Sequence, residues 1–326
     1  MKLHLNKVLF SEAIQFTSQE INLKPEYIEK DYWVTLALYT IFNHEIGNDM
    51  VFKGGTALSK CYQFIQRFSE DIDLVVLRRE GESSTMLSKK IKQISSLVNA
   101  VIPEIDVDGI TRKKGLNRKT AHSYSKEFHG SYGQARDYVV LEATCLGYHE
   151  PYSQKSIISI LGEIMINRGQ EPIAEEYALL PFKLNVLDAT RTFCEKIMSL
   201  VRFSYSKDPL TDLKNKIRHT YDLHQLLQQE ELIIFFQSQL FDEMLLRVAH
   251  DDQISFKNNN DWLVNHPCEA LLFKDLDTIW KDLKLVYSGN FSELVFGELP
   301  NEAEVLKTLL TIKTRLAQID WEIKIN

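Results

Sequence analysis

The chain has 326 residues, 44% hydrophobic and 25% charged, an ordinary balance for a folded protein with room for two lobes. A formal net charge of −7 and a pI near 5.8 exclude a uniformly basic nucleic-acid coat, so any polyanion site must be a local basic patch. Four scattered cysteines, Cys61, Cys145, Cys194 and Cys268, form no CxxC pair or Cys/His cluster, so neither a disulfide framework nor a structural zinc is indicated.

His4, Asn6 and Lys7 break the short apolar stretches of the N-terminus, which is wrong for a signal peptide. The longest strongly apolar run, Leu232 to Phe236, is far short of the roughly 20 residues a membrane helix needs. A cytoplasmic protein without a membrane partner is expected. The first clear helix is predicted over about 24–44, with Pro25 in its first turn and Ile28, Tyr32, Leu36 and Tyr39 on one face. A brief strand at 50–52 leads through Lys53, Gly54 and Gly55 into a helix predicted over about 56–65. Leu58, Cys61, Tyr62 and Ile65 form its apolar side. The segment 68–77 reads as a strand, with Ile72, Leu74 and Val76 on one face and Asp71, Asp73 and Val75 on the other.

Met86, Leu87, Ile91, Ile94 and Val98 mark a further amphipathic helix, followed by a basic, turn-rich stretch over 111–130. A second strand is predicted over 138–145 and carries Glu142. Beyond Pro181 the pattern is mostly helical. Three stripes read as packing faces: Phe193, Ile197, Leu200 and Val201; Leu213, Ile217, Tyr221 and His224; and Val305, Leu309, Ile312 and Leu316. The predicted architecture is a mixed α/β N-terminal lobe and a helical C-terminal lobe, divided within about 175–190.

The chemistry concentrates around 54–73. Two glycines before a helix let a ligand approach the backbone, and a helix start offers unpaired N–H groups suited to a triphosphate. Thr56 is expected to cap that helix or to donate its hydroxyl to a phosphate. Asp71 and Asp73 share a strand face with Cα atoms roughly 6.5 Å apart. Their carboxylates suit one divalent ion or a pair of ions about 3.5–4 Å apart, and oxygen-rich sites of this kind favour Mg²⁺. Two solvated acids on an exposed strand face is the plainer alternative. Glu142, an acid flanked by apolar residues, is the candidate third carboxylate, or else an edge-strand residue facing water.

KGGTALSK (53–60) followed by RFSEDIDL (67–74) resembles the first motifs of the AbiEii/AbiGii toxin family of nucleotidyltransferases, within the DNA polymerase β-like superfamily. RTFCEK (191–196), RHTYDL (218–223) and the earlier EKDYW (29–33) are similar to further segments of that family, in the same order. The resemblance implies an α+β fold: a polymerase β-like nucleotidyltransferase lobe with a small mixed sheet over 1–187, followed by a helical lobe over 188–326 that completes the active site. It implies that Gly54, Gly55 and Thr56 hold the triphosphate of an NTP, with Ser69 also at a family position. Asp71 and Asp73 become ligands of Mg²⁺, Lys196 reaches the nucleotide phosphates, and Asp222 completes the site near metal or base.

Read without the family, Lys196 sits at the edge of an apolar helix face, free to turn to a cleft or to solvent. Arg218 and Asp222 have the i,i+4 spacing of a helix salt bridge, with Arg218 a secondary nucleotide contact. Arg67 is open between a phosphate contact and a surface charge. Over 111–128, Arg112, Lys113, Lys114, Arg118, Lys119 and Lys126 oppose only Glu127, and Tyr124 and Phe128 lie nearby. This is either an RNA contact or a solvated hairpin.

The implied activity is that of a toxin in a toxin–antitoxin system: transfer of NMP from an NTP to an RNA 3′ end, by resemblance the tRNA acceptor end, with a cognate antitoxin protein as partner. A protein or small-molecule acceptor, or a non-catalytic nucleotide- or partner-binding module, are the alternatives. Retention of both Asp71 and Asp73 argues for catalysis. Ser69, so close to the carboxylate pair, is also a plausible control point, since a phosphate there adds about −1.5 to −2 charge.

Overall fold

The computed structural model describes residues 1–130, 135–145 and 150–325, apart from the side chain of Lys114. The chain forms two compact units. The first comprises Met1–Cys61, Phe68–Cys145 and Tyr152–Leu187; the second comprises Tyr62–Arg67, Leu146–Pro151 and Asp188–Asn326.

In the first unit an eight-stranded sheet is built from β1 (Met50–Lys53), β2 (Asp71–Val76), β3 (Glu104–Ile105), β4 (Arg112–Lys114), β5 (Asn117–His122), β6 (Val139–Thr144), β7 (Tyr152–Ile157) and β8 (Phe182–Leu187). The strand order is β3-β5-β6-β2-β1-β8-β7, with β4 paired to β5. The sheet is mixed: β2 runs parallel to β6 and antiparallel to β1, while β1 runs parallel to β8. Its helices are α1 (Lys7–Ile21), α2 (Pro25–Phe42), α3 (Gly54–Ala57), α4 (Ser84–Asn99), α5 (Ile160–Asn167) and α6 (Glu171–Glu176).

Helix α2 packs against β2, β6 and β8, and α4 packs against β2, β5 and β6. Ile72 and Leu74 are buried, whereas Asp71 and Asp73 between them remain partly exposed. The period-2 alternation thus sends apolar side chains into the core and the acids to the other face. Helix α2 is buried along most of its length, including the charged Glu29, Lys30 and Asp31. Helix α1 was not legible in the sequence. Only Phe10, Ile14 and Thr17 of it are buried, while Val8 and Phe16 face solvent and blur the amphipathic pattern.

Two local expectations change. The helix after Gly-Gly begins at Gly54 with Lys53 as its cap residue, so Thr56 lies inside it and caps nothing. Gly54 takes φ 84°, a left-handed conformation open to glycine, which turns the chain sharply out of β1. The helix widens into a π-turn over Leu58–Tyr62 and stops short of Ile65, where Gln63 adopts φ 57°.

The second unit is helical: α7 (Ala189–Phe203), α8 (Pro209–Asn215), α9 (Ile217–Leu226), α10 (Glu230–Gln237), α11 (Gln239–Ser255), α12 (Leu271–Lys274), α13 (Leu276–Val286) and α14 (Glu302–Leu316). All three predicted stripes are buried, so they are packing faces. The middle stripe is shared by two helices, because the chain breaks at Lys216 between α8 and α9. The segment Tyr62–Arg67 joins this unit through a bridge between Arg67 and Val295 and a bond from the Gln66 N–H to the Tyr221 hydroxyl at 3.2 Å. Among the described residues no helix is long and apolar enough to cross a membrane.

Candidate active site

Sheet register assembles the acidic centre of the first unit. Lys53 pairs with Asp73 across β1 and β2, Asp73 with Glu142 across β2 and β6, and Glu142 with Lys119 across β5 and β6. One row across four strands therefore reads Lys, Asp, Glu, Lys, and residues paired in this way share a face. Asp71 lies on the same face, two residues before Asp73. Sequence spacing could place Asp71 beside Asp73, but only the register puts Glu142 beside them.

Three carboxylates this close repel one another, and the outer cations offset part of that repulsion. Burial, then the repulsion of Asp71 and Glu142, pushes the Asp73 pKa up to about 7. Glu142 is drawn to Lys119, whose Nζ donates to Oε2 at 2.9 Å; Asn117 Nδ2 approaches Oε1 at 3.4 Å. Asp71 accepts from Arg136 Nη1 at 2.9 and 3.1 Å. Burial works against the charge on Arg136, yet Asp71 and Glu70 outweigh it and hold its pKa up. Sequence reasoning missed both Lys119 as the partner of Glu142 and Arg136 as the partner of Asp71.

Gly54 belongs to this centre sterically. A Cβ added there would stand 2.5 Å from Asp73 Oδ2, so the carboxylate rests against the glycine backbone. Thr56 is buried, and its hydroxyl donates to the carbonyl of Asp71 at 2.7 Å and meets the Ser69 hydroxyl at 2.9 Å. Thr56 thereby ties the Gly-Gly turn to the start of β2, and Ser69 lies partly exposed beside it.

The EKDYW segment explains itself in three dimensions. Glu29 accepts from the N–H groups of Glu127 and Phe128 at 2.8 and 3.1 Å. Asp31 pairs with Lys60 and accepts from the Ile160 N–H at 2.8 Å. Lys30 lies 3.8 Å from Glu70 and donates to the Arg136 carbonyl. Burial pulls the pKa of Lys30 down to about 8, with Glu70 opposing the fall. Each buried charge of α2 thus fixes a different segment, which is what an irregular backbone needs.

Four cations of the basic stretch lie against acids. Lys113 pairs with Glu104, Arg118 lies 3.8 Å from Glu104, Lys119 pairs with Glu142, and Lys126 pairs with Asp137 at 2.6 Å. The side chain of Lys114 lies outside the description.

In the second unit Asp222 is the organising group. It is fully buried on α9, and Arg67 grips it with two bonds, Nε to Oδ1 at 2.6 Å and Nη2 to Oδ2 at 2.7 Å. Lys196, on the facing α7, donates to Oδ2 at 2.6 Å. Burial would raise the Asp222 pKa, but Arg67 and Lys196 outweigh it and hold the carboxyl well below the usual range. Lys196 and Asp222, expected separately, are thus direct partners. Arg67 is a buried clamp and not a surface charge. Arg218 lies half-buried one turn before Asp222. His219 is kept neutral by burial and by Lys196, its pKa falling well below the usual value.

The donor set fits a divalent cation. Asp71, Asp73 and Glu142 supply hard oxygen atoms from two adjacent strands, and burial together with the repulsion of Asp71 and Glu142 raises the Asp73 pKa. Among the described residues no three such side chains converge as a ready-made metal cage. Asp71 is instead held by Arg136 and Glu142 by Lys119.

No curated protein matches the chain. MenT4, a nucleotidyltransferase toxin from Mycobacterium tuberculosis H37Rv, is similar in structure, with a TM-score of 0.50 over 94% of this chain and 90% of that one. Sequence identity is 16%, so the likeness speaks for a shared fold. The family model of the nucleotidyl transferase AbiEii toxin, Type IV TA system, matches residues 36–301, which takes in the acidic row, Lys196 and Asp222. The chain belongs to the AbiEii family of nucleotidyltransferase toxins of type IV toxin–antitoxin systems.

Proposed function

We propose that the protein transfers a nucleoside monophosphate from an NTP to the 3′ end of an RNA, with the acceptor end of tRNA as the substrate, in the cytoplasm. The 3′-hydroxyl oxygen bonds to the α-phosphorus, the bond from that phosphorus to the α–β bridging oxygen breaks, and pyrophosphate leaves with the electron pair. The hydroxyl proton goes to solvent. The observation that carries this reading is the row that sets Glu142 beside Asp73, with Asp71 on the same face and Gly54 against Asp73.

Asp71 and Asp73 are assigned as the ligands of Mg²⁺, with Glu142 as a third. Bound there, the cation supplies charge to the phosphate oxygens where negative charge develops. Gly54 and Gly55 leave the backbone open to phosphate, Thr56 supports the turn from behind, and Ser69 offers a hydroxyl beside it. Lys196 and Asp222 are assigned as a catalytic pair in which the carboxylate sets the ammonium in place. Arg218 is assigned as a secondary nucleotide contact. The cognate antitoxin is assigned as a protein partner, and a tRNA with a modified 3′ end, unable to be charged, accounts for toxicity.

The test is incubation of purified protein with Mg²⁺, each labelled NTP and total RNA, followed by sequencing of RNA 3′ ends. Transfer by the native chain and none by Asp71→Ala is the expected result, together with growth arrest on expression that Asp71→Ala relieves. Equal transfer by both proteins would overturn the site assignment. Label in protein or in a small molecule, with none in RNA, would overturn the acceptor, and nucleotide binding without turnover would favour a binding module.

A further inference from the structure

Arg136 is held at its main chain and extended at its side chain. Its N–H donates to Glu70 Oε1 at 3.2 Å, and its carbonyl accepts from Lys30 Nζ. The Lys30 and Glu70 side chains are both 0% exposed. Removing two charges from water is costly, and a buried pair by itself is weak support for a fold. Here both charges grip the two faces of one residue's backbone. Glu70 immediately precedes Asp71, so the chain that carries the carboxylate also carries half of the clamp.

The clamp aims a guanidinium at that carboxylate. Arg136 Nη1 meets both oxygens of Asp71, and the two side chains are each 32% exposed. The backbone is therefore fixed while the ion pair at its tip stays open to solvent and to exchange. A guanidinium stays charged at any ordinary pH, so one that leaves a carboxylate needs another anion. Its fork matches phosphate as well as it matches carboxylate.

We propose that Arg136 is the resident cation of this centre, holding Asp71 until a divalent cation takes the carboxylate and then binding a phosphate oxygen of the incoming nucleotide. The proposal rests on the reading of Asp71 as a metal ligand. Arg136 then opposes metal binding while no nucleotide is present and favours nucleotide once metal is bound. The exchange couples the two ligands, because each relieves a charge that the other leaves unpaired.

The test uses the full chain and two calorimetric titrations. One is Mg²⁺ or Mn²⁺ alone; the other, at saturating Mg²⁺, is an NTP analogue with a methylene group between its α- and β-phosphates. Arg136→Gln is expected to bind the metal about fivefold more tightly, the scale of a partly exposed ion pair. It is expected to bind the analogue about tenfold more weakly, the scale of one charge-assisted contact. Arg136→Lys should fall between the two. Opposite signs are the signature, since damage to the fold weakens both ligands. Metal affinity that is unchanged or weaker in Arg136→Gln, with Asp71→Asn losing the metal, would overturn the role of Arg136 and leave the metal site standing. Asp71→Asn binding metal like the native chain would overturn the metal reading itself.

Discussion

Replacing Asp222 with asparagine separates a buried anchor from a surface ornament. Asp222 accepts two bonds from Arg67 and one from Lys196, at 2.6 to 2.7 Å, in a site where the carboxylate is 0% exposed. Asparagine keeps one acceptor oxygen and turns an N–H₂ group toward a cation. Both buried cations then lose the charge of Asp222, a loss of about 3–5 kcal/mol by the usual cost of breaking a buried pair from one side. Urea unfolding followed by tryptophan fluorescence reads this directly, because Trp262, Trp280 and Trp321 all lie in the second unit. The pH dependence follows from the depressed pKa. The contribution of Asp222 is fully present above the unfolded carboxylate value of about 3.9 and is lost only as pH falls through the lower folded value. The gap between native and Asp222→Asn proteins should therefore stay constant from pH 7 down to about 4 and close in stronger acid. A loss below about 1 kcal/mol, the scale of exposed pairs, would refute the reasoning. So would a gap that closes between pH 7 and 5.

Gly54→Ala should destabilise the first unit by more than about 1 kcal/mol, through the positive φ and the Cβ that meets Asp73 Oδ2, and should weaken Mg²⁺ binding. Unchanged metal affinity in a calorimetric titration would count against the close packing of Gly54 and Asp73. Thr56→Val keeps the shape but removes the donor to the Asp71 carbonyl, so a loss of about 1–2 kcal/mol in thermal or urea unfolding is expected. A neutral substitution would mean the hydroxyl is dispensable to the turn. Burial pushes the Cys194 thiol well above its usual value, so it should resist a thiol reagent at pH 8 until the chain is unfolded. Rapid labelling of Cys194 in the native protein would contradict its burial.

The sequence by itself determined what depends on local periodicity. Alternation along 71–76 put Asp71 and Asp73 on one face and Ile72 and Leu74 on the other, and helical spacing marked the stripes of α7, of α8 with α9, and of α14 as core. The ordered motifs gave the family. What the tertiary structure alone decided is pairing between residues distant in the chain. The partnership of Asp73 with Glu142 follows from the β2–β6 register, and that of Glu142 with Lys119 from the β5–β6 register. No local pattern encodes either. Thr56 changed from an expected cap to a tie onto β2, because a cap position is set by the backbone conformation at Gly54 and not by residue type. Arg67, Lys196 and Arg136 are ordinary cations in sequence. A facing carboxylate gave each its role, with burial added for Arg67 and Lys196, since the strength of a charge–charge interaction depends on the surrounding dielectric and on geometry that only the folded chain supplies.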